Sequence, residues 1–206
     1  MPDGKTIMRE DTQYVFHAPS ANMRIVDRIT TLIAQDGRVV FKDNKEGVLG
    51  LRVARELEQP STKPEIFTDA SGRPTSVPSL NNEGVSGVYR SSAGKTGDDV
   101  WATRGSWTTL SGKIKSEPVT LAIFDHPRNP GYPTYWHARG YGLFAANPLG
   151  QKVFAEAKGD KATGELNFTL EPKQSATFRH RLVIASGEMT PEQIEQQQQR
   201  FVASSK

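Results

Sequence analysis

Glycine and proline are spread along the whole of this 206-residue chain and leave only short uninterrupted segments between them. The eighteen glycines and thirteen prolines do not cluster, which is typical of many short strands joined by turns. Several of the intervening segments alternate apolar and polar residues or are rich in β-branched residues, which favour extended backbone. Examples are residues 23–34, 119–124, 166–170 and 177–185. The sequence therefore predicts an all-β protein, an antiparallel β-sandwich.

A single helix is predicted, near the C-terminus, over residues 190–202. Thr190 is a favourable N-cap, Pro191 takes the first helical position, and Gln193 completes a capping box with Thr190. The rest of the chain is predicted to be strand or loop, within one domain over residues 1–206. We expect a hairpin turn at 35–38 that returns through 39–41, strands over 48–54, 101–110 and 152–155, and a long polar loop over 55–99.

Charge and composition exclude several classes of protein. The formal net charge is only +3 and no run of Lys and Arg is present, so no nucleic-acid partner is expected. The absence of cysteine excludes disulfides, thiolate metal sites and a cysteine nucleophile. No apolar run reaches membrane-spanning length, and the first residues lack the apolar region of a signal peptide. We expect a cytoplasmic protein, or a periplasmic or secreted one if an upstream segment precedes this chain.

The segment over residues 122–148 holds the greatest density of polar and aromatic side chains. Its prolines restrict the backbone, so these groups are held in a defined arrangement. We expect the functional site to be built around this segment. The candidates for binding or catalysis within it are Asp125, His126, Asn129, Trp136, His137, Arg139, Tyr141 and Asn147.

Three of these candidates are expected to share one face of a strand. His137, Arg139 and Tyr141 lie at alternate positions, and alternate residues of a strand point to the same side. This stripe is either the floor of a site or a solvent-facing surface. Glu46, in a loop between strands, and Arg52, on the following strand, are further candidates, and for both the alternative is a solvated surface residue.

The histidines allow two kinds of chemistry. His126 follows an apolar strand, so it is either an acid or base at a strand end or a turn histidine bonded to a carbonyl. His126 and His137 together with Glu46 or Asp125 would form a metal site, but the spacing matches no specific zinc motif. No P-loop, dinucleotide-binding or His-Glu-x-x-His motif is present, so no cofactor is predicted.

The tryptophans Trp101, Trp107 and Trp136 have two interpretations. An exposed indole would stack on a sugar ring, whereas a buried one would fill the core of the sandwich. We take Trp136, which lies inside the polar segment, as a candidate for substrate binding.

Several blocks of the sequence resemble a known bacterial family. Residues 125–130, 133–143 and 146–150 are similar to the signature of the family that carries the label "methane oxygenase PmoA", and residues 43–47 with 51–54 are similar to its second block. The methane activity in that label belongs to an integral membrane protein, and this chain has no spans. The resemblance implies a galactose-mutarotase-like β-sandwich that binds sugars on a concave sheet. It also implies that this chain corresponds to the C-terminal part of a longer architecture.

Together these observations predict a carbohydrate-active domain with a saccharide as its partner. By analogy with mutarotase-like folds, a histidine (His126 or His137) would act as the acid and Glu46 as the base, while Arg139, Tyr141, Asn129 and Asn147 orient hydroxyl groups. Two alternatives remain: a non-catalytic carbohydrate-binding or interaction module, and a metal-dependent lyase or oxidoreductase. The sequence leaves the oligomeric state undefined.

Overall fold

The computed structural model describes residues 4–62, 68–76 and 82–204. It confirms the prediction of an all-β antiparallel sandwich with a short C-terminal helix. The strands are β1 (Met8–Ser20), β2 (Met23–Ala34), β3 (Val39–Phe41), β4 (Leu49–Arg52), β5 (Val88–Ser91), β6 (Trp107–Ile114), β7 (Glu117–Asp125), β8 (Tyr135–Arg139), β9 (Leu143–Asn147), β10 (Phe168–Leu170) and β11 (Ser175–Ser186). The helices are α1 (Gln151–Ala157) and α2 (Pro191–Ser204), with short 3-10 turns at Arg55–Leu57 and Gly97–Val100.

The larger layer is a six-stranded sheet in the order β1-β2-β11-β7-β6-β5. Its central strand, β11, pairs with β2 on one side and with β7 on the other. The register places His180 of β11 opposite Asp125 at the end of β7 and opposite Arg28 of β2. Asp125 and Arg28 therefore lie next to His180, which is distant from both of them in the chain.

The second layer is a three-stranded sheet in the order β4-β9-β8. Its inner face packs against the large sheet through a core that contains Trp136 and Phe144 from the small sheet and Tyr89, Leu110 and Ile123 from the large one. The rings of Tyr89 and Phe144 meet edge to face at 5.3 Å. A two-stranded sheet of β3 and β10 covers a further part of the large sheet, where Phe168 packs on Phe178.

Helix α2 covers the opposite face of the six-stranded sheet. Its Ile194 and Phe201 are buried against Phe124 of β7 and Val183 of β11. The predicted capping box is present: the Thr190 amide donates to Gln193 Oε1 at 2.8 Å, and the Gln193 amide donates to Thr190 Oγ1 at 3.3 Å. The prediction of this helix is confirmed.

Residues 152–155, predicted to be a strand, lie instead in helix α1. The Asp43 carboxylate accepts a hydrogen bond from the Lys152 amide at 2.7 Å and so binds a free N–H of the first turn. Phe154 is fully buried against the ring of Tyr135, 5.4 Å away. A short apolar run does not distinguish helix from strand by its period, and here a distant carboxylate and tertiary packing decide the outcome.

Three other local predictions differ from the structure. Strand β3 does not return along β2 but pairs with β10. The predicted loop over 55–99 contains β5, which pairs with β6, and its residues 63–67 and 77–81 lie outside the described residues. Residues 101–106, predicted as part of a strand, are not strand, since β6 begins at Trp107.

Candidate functional site

The outer face of the three-stranded sheet carries the predicted polar stripe. Within β8, Trp136 and Ala138 point into the core between the sheets, so Tyr135, His137 and Arg139 point to the other face. Phe154 of α1 contacts the rings of Tyr135 and His137 there, and both residues are buried. The strand ends at Arg139, so Tyr141 lies in the hairpin turn that leads to β9. The sequence analysis had placed Tyr141 on the strand itself. The three side chains still share one surface, because the turn brings Tyr141 back over Arg139.

Cations and aromatic rings alternate along this surface. Arg139 Cζ lies 4.9 Å from the ring centre of Trp101 and 5.6 Å from that of Tyr141. Arg52 Cζ lies 5.3 Å from the Tyr141 ring, and Lys158 Nζ lies 5.7 Å from the Trp101 ring. We call the five residues Lys158, Trp101, Arg139, Tyr141 and Arg52 the cation–aromatic row. Each such contact contributes only about 0.5–1 kcal/mol at an exposed site, so the rings mainly orient the cations.

The three cations of the row have no carboxylate partner within the described parts of the chain. Arg52 donates one weak hydrogen bond, at 3.4 Å, to the Tyr141 carbonyl, and Arg139 and Lys158 contact only rings. By contrast, other surface cations such as Arg38 and Lys152 form ion pairs. The three cations of the row therefore form no ion pair within the described residues, and 44 % of Tyr141 is exposed beside them.

His137 is held next to the row in its neutral form. The Lys45 carbonyl can only accept a hydrogen bond, so Nδ1 of His137, 3.0 Å away, carries the proton. Burial lowers the pKa of His137 below its usual value, and this effect exceeds the opposing effects of the Lys45 carbonyl and the Glu46 charge. Nε2 therefore carries a lone pair, and it makes no hydrogen bond within the described residues.

The loop that carries Glu46 is fixed from below by Asn147. The Asn147 amide donates to the Asn44 carbonyl at 2.8 Å and accepts from the Leu149 amide at 3.0 Å. Asn147 is fully buried, so its role here is to hold the loop rather than to contact a ligand. Gly47 packs so closely that a Cβ there would lie 2.1 Å from Asn147 Cγ. These contacts place exposed Glu46 beside His137, the pair that the sequence suggested for proton transfer.

Asp125 and Asn129 lie elsewhere, inside the large sheet. Asn129 donates to Asp125 Oδ1 and to the Arg179 carbonyl, both at 2.7 Å, and its own Oδ1 accepts from the Arg179 amide at 2.7 Å. β7 has ended at this point, and the side-chain amide of Asn129 makes the two hydrogen bonds to β11 that the backbone of a further strand residue would make. Asp125 Oδ2 accepts from the Thr134 amide at 2.8 Å.

Burial changes the protonation of this second cluster. It raises the pKa of Asp125 to about 7, against the hydrogen bonds from Asn129 and Thr134, which lower it. Burial lowers the pKa of His180 to about 3. Neither ring nitrogen of His180 has a hydrogen-bond partner among the described residues, although Nε2 lies 3.5 Å from Asp125 Oδ1. The carboxyl is therefore the group that holds a proton in mildly acidic solution.

His126 and Trp136 are also buried and do not reach the cation–aromatic row. The ring of His126 packs edge-on against Phe201 of α2 at 5.2 Å, and burial lowers its pKa. Its Nδ1 accepts from the Arg128 amide at 3.1 Å. Trp136 lies wholly in the core between the sheets. Both side chains are almost completely buried, so neither ring presents a surface to a sugar.

The structure thus divides the predicted site into two parts. Glu46, Arg52, His137, Arg139 and Tyr141 come together on the outer face of the small sheet, whereas Asp125, His126, Asn129 and Trp136 are internal. Lys158, which the sequence analysis missed, joins the first group. It follows α1, and no local pattern reveals that this helix brings it over Trp101.

Other kinds of site find less support in the described residues. They contain no group of three or more His, Asp or Glu side chains placed to hold a metal ion, so the proposed pairing of His126 and His137 around a metal is not formed. None of their helices combines the length and apolar character needed to cross a membrane.

Fold and site together define an antiparallel β-sandwich with a cationic, aromatic outer face next to a neutral histidine. Residues 1–199 match a family of unknown function, DUF6807, and the chain belongs to this family. No curated protein and no solved structure matches the chain.

Proposed function

We propose that this chain is a carbohydrate-active domain that binds an acidic saccharide along the cation–aromatic row. The observation that carries the proposal is the set of three cations, Arg52, Arg139 and Lys158, which are held by rings and have no carboxylate partner in the described chain. A guanidinium pairs with a carboxylate through two parallel hydrogen bonds, so a uronic acid fits this surface better than a neutral sugar. The sequence resemblance, which implies a sugar-binding β-sandwich, agrees with this choice.

His137 is the proposed proton acceptor. Its neutral ring carries a lone pair on Nε2 at neutral pH, and this is the form of a general base rather than of an acid. The geometry therefore exchanges the roles suggested by the sequence, in which histidine was the acid and Glu46 the base. Because the pKa of His137 is lowered, the basic form persists to more acidic pH than for a free histidine.

Binding is tested with an acidic saccharide and its neutral counterpart. Calorimetry would compare trigalacturonic acid with its methyl ester, and we expect the acid to bind at least about tenfold more tightly, since one charge-assisted pair contributes about 1.5–3 kcal/mol. Arg139→Gln should remove most of this preference. Arg38→Gln, which changes an exposed arginine on another part of the surface, is the matched control. Equal affinity for both ligands, or no binding of either, would contradict the proposal.

Catalysis is tested separately by following anomeric exchange and chain cleavage of the same saccharide by NMR. His137→Ala should abolish turnover and leave affinity within about threefold, because the ring contributes a proton acceptor and not the charge of the row. Binding without any turnover by the wild-type protein would identify a non-catalytic carbohydrate-binding module instead.

A further inference from the structure

A groove on the opposite side of the molecule, under α2, has the features of a second binding site. It has a volume of about 380 Å³ and lies between α2 and the end of the β1–β2 hairpin. Met23 and Ile25 of β2 give it an apolar lining, and Arg181, Gln197 and Arg200 give it polar groups. This volume falls within the range of small-molecule sites. The groove shares no residue with the cation–aromatic row.

Arg181 is positioned in the groove by a buried carboxylate. Its Nε and Nη2 donate to the two oxygens of Asp27 at 2.6 and 2.8 Å, and Nη2 also lies 3.3 Å from Ser204 Oγ. The guanidinium rests over the ring of Phe201, 4.9 Å away. Only Nη1 makes no hydrogen bond within the described residues, so its donors are free for a ligand. His17 binds the same carboxylate from the rim, with Nε2 3.0 Å from Asp27 Oδ2.

Gln197 is the second unused polar group. Only 7 % of the residue is exposed, it lines the groove, and its side-chain amide makes no hydrogen bond within the described chain. The nitrogen and oxygen of this amide still reach solvent, so a ligand that accepts or donates a hydrogen bond there would take the place of water. Arg200, one turn further along α2, contributes a cation that has no carboxylate partner among the described residues.

The charges of the groove select the class of ligand. Asp27 compensates Arg181, so the arginine that remains uncompensated in the groove is Arg200. One positive charge, two further donors and an apolar lining suit a monoanion with an apolar body. An inorganic phosphate would carry more charge and would leave Met23 and Ile25 without a contact.

We propose that the groove under α2 binds a small organic carboxylate, with Arg200, Gln197 and Arg181 Nη1 around the carboxylate and Met23 and Ile25 against the apolar body. The site is independent of the proposed saccharide function.

The test uses benzoate as the probe and amide NMR spectra of the whole chain as the readout. For a ligand of the size of benzoate, we expect a dissociation constant on the order of 1 mM. We expect saturable shifts of the amides of Ile25 and Gln197. Benzamide, which has the same shape without the charge, and inorganic phosphate are compared under the same conditions.

Two variants locate the site. Arg200→Gln should weaken benzoate binding about tenfold and Gln197→Leu about threefold or more, while both spectra stay those of the folded protein. Arg38→Gln removes the same charge from an exposed arginine that does not line the groove and should leave the affinity unchanged. The proposal is overturned by the absence of saturable shifts, by equal binding of benzamide, by tighter binding of phosphate, or by an equal loss in Arg38→Gln.

Discussion

Side-chain amides replace main-chain partners at two places where strands end. Asn129 continues the pairing of β11 after β7 has finished, and Asn147 holds the loop that carries Glu46. In both cases the amide supplies a donor and an acceptor from one short side chain, which a carboxylate or an aliphatic residue does not. Asn147 therefore acts on the site through the loop that it supports, whereas Asn129 supports the large sheet away from the cation–aromatic row.

The contact between Gly47 and Asn147 leads to a prediction for Gly47→Ala. The added methyl group would lie 2.1 Å from Asn147 Cγ, so either the loop or the amide must move. We expect a loss of about 1–3 kcal/mol in the free energy of unfolding and a weaker affinity for the acidic saccharide, because Glu46 and the Lys45 carbonyl are displaced. Urea unfolding and calorimetry measure the two effects.

Gly37→Ala is the matched control, since a Cβ at Gly37 meets no atom within 4 Å. Its stability should stay within about 0.5 kcal/mol of that of the wild type. If Gly47→Ala behaves like Gly37→Ala, the loop does not depend on this packing.

For individual residues, the sequence predicted part of the site. The two-residue period of β8 places His137 and Arg139 on one face, and the same period places Trp136 on the other. That Asp125 and Asn129 are internal could not be predicted, because their partner Arg179 belongs to a strand that is distant in the chain. The position of Lys158 likewise depends on helix α1, which the spacing of apolar residues in the sequence did not reveal.

At the scale of elements, the pairing of β7 with β11 places Asp125 directly opposite His180. Neither side chain reaches water, and burial shifts the two pKa values in opposite directions. The pair therefore makes stability depend on pH through two contributions of opposite sign.

The sign of each contribution follows from its shift. The folded protein holds the proton of Asp125 up to about pH 7, whereas the unfolded chain loses it near 3.8, so this contribution falls as pH rises between those values. His180 is neutral in the folded protein down to about pH 3, whereas the unfolded chain takes up a proton below 6.5, so its contribution rises over that interval. Between about pH 4 and about pH 6.5 the two largely cancel.

Replacing either Asp125 or His180 should reveal the contribution of the other residue to the pH dependence of stability. In Asp125→Asn the free energy of unfolding should increase from about pH 4 to about pH 6.5, and in His180→Asn it should decrease over the same interval. Urea unfolding of both variants and the wild type at several pH values measures these slopes. Slopes of the same sign in the two variants would contradict the assignment.

Helix α1 is an element that the sequence pattern alone did not predict. The long, periodic β11 and the capped α2 were both predicted, but α1 has seven residues and is held by Asp43 and by packing of Phe154 on Tyr135. A helix this short is unstable by itself, so its tertiary contacts determine its conformation.

For the whole molecule, β7 and β11 belong to two cores at once. One face of β7 contributes Ile123 to the core between the sheets, and the other contributes Phe124 to the core under α2. The all-β class and the sandwich followed from the sequence, since they depend on the distribution of turns and β-branched residues. The order of the strands did not, because it is set by pairings between distant segments.

Because the cores share these strands, we expect the protein to unfold in one transition. Far-ultraviolet circular dichroism and tryptophan fluorescence should give coincident urea curves. Phe201→Ala should destabilise by about 3–5 kcal/mol and shift both curves together, whereas Val202→Ala, on the exposed side of the same helix turn, should have a small effect. A separate early transition of α2 would show that the helix is an independent unit.

The central position of β11 has a consequence for synthesis on the ribosome. The hairpin of β1 and β2 is made before the other described strands, whereas β11, which covers the free edge of β2, is made after all of them. During most of translation that edge exposes unpaired N–H and C=O groups, which attract other nascent chains. Slower elongation would prolong this exposure, so the yield of folded protein should depend on how soon the ribosome reaches β11.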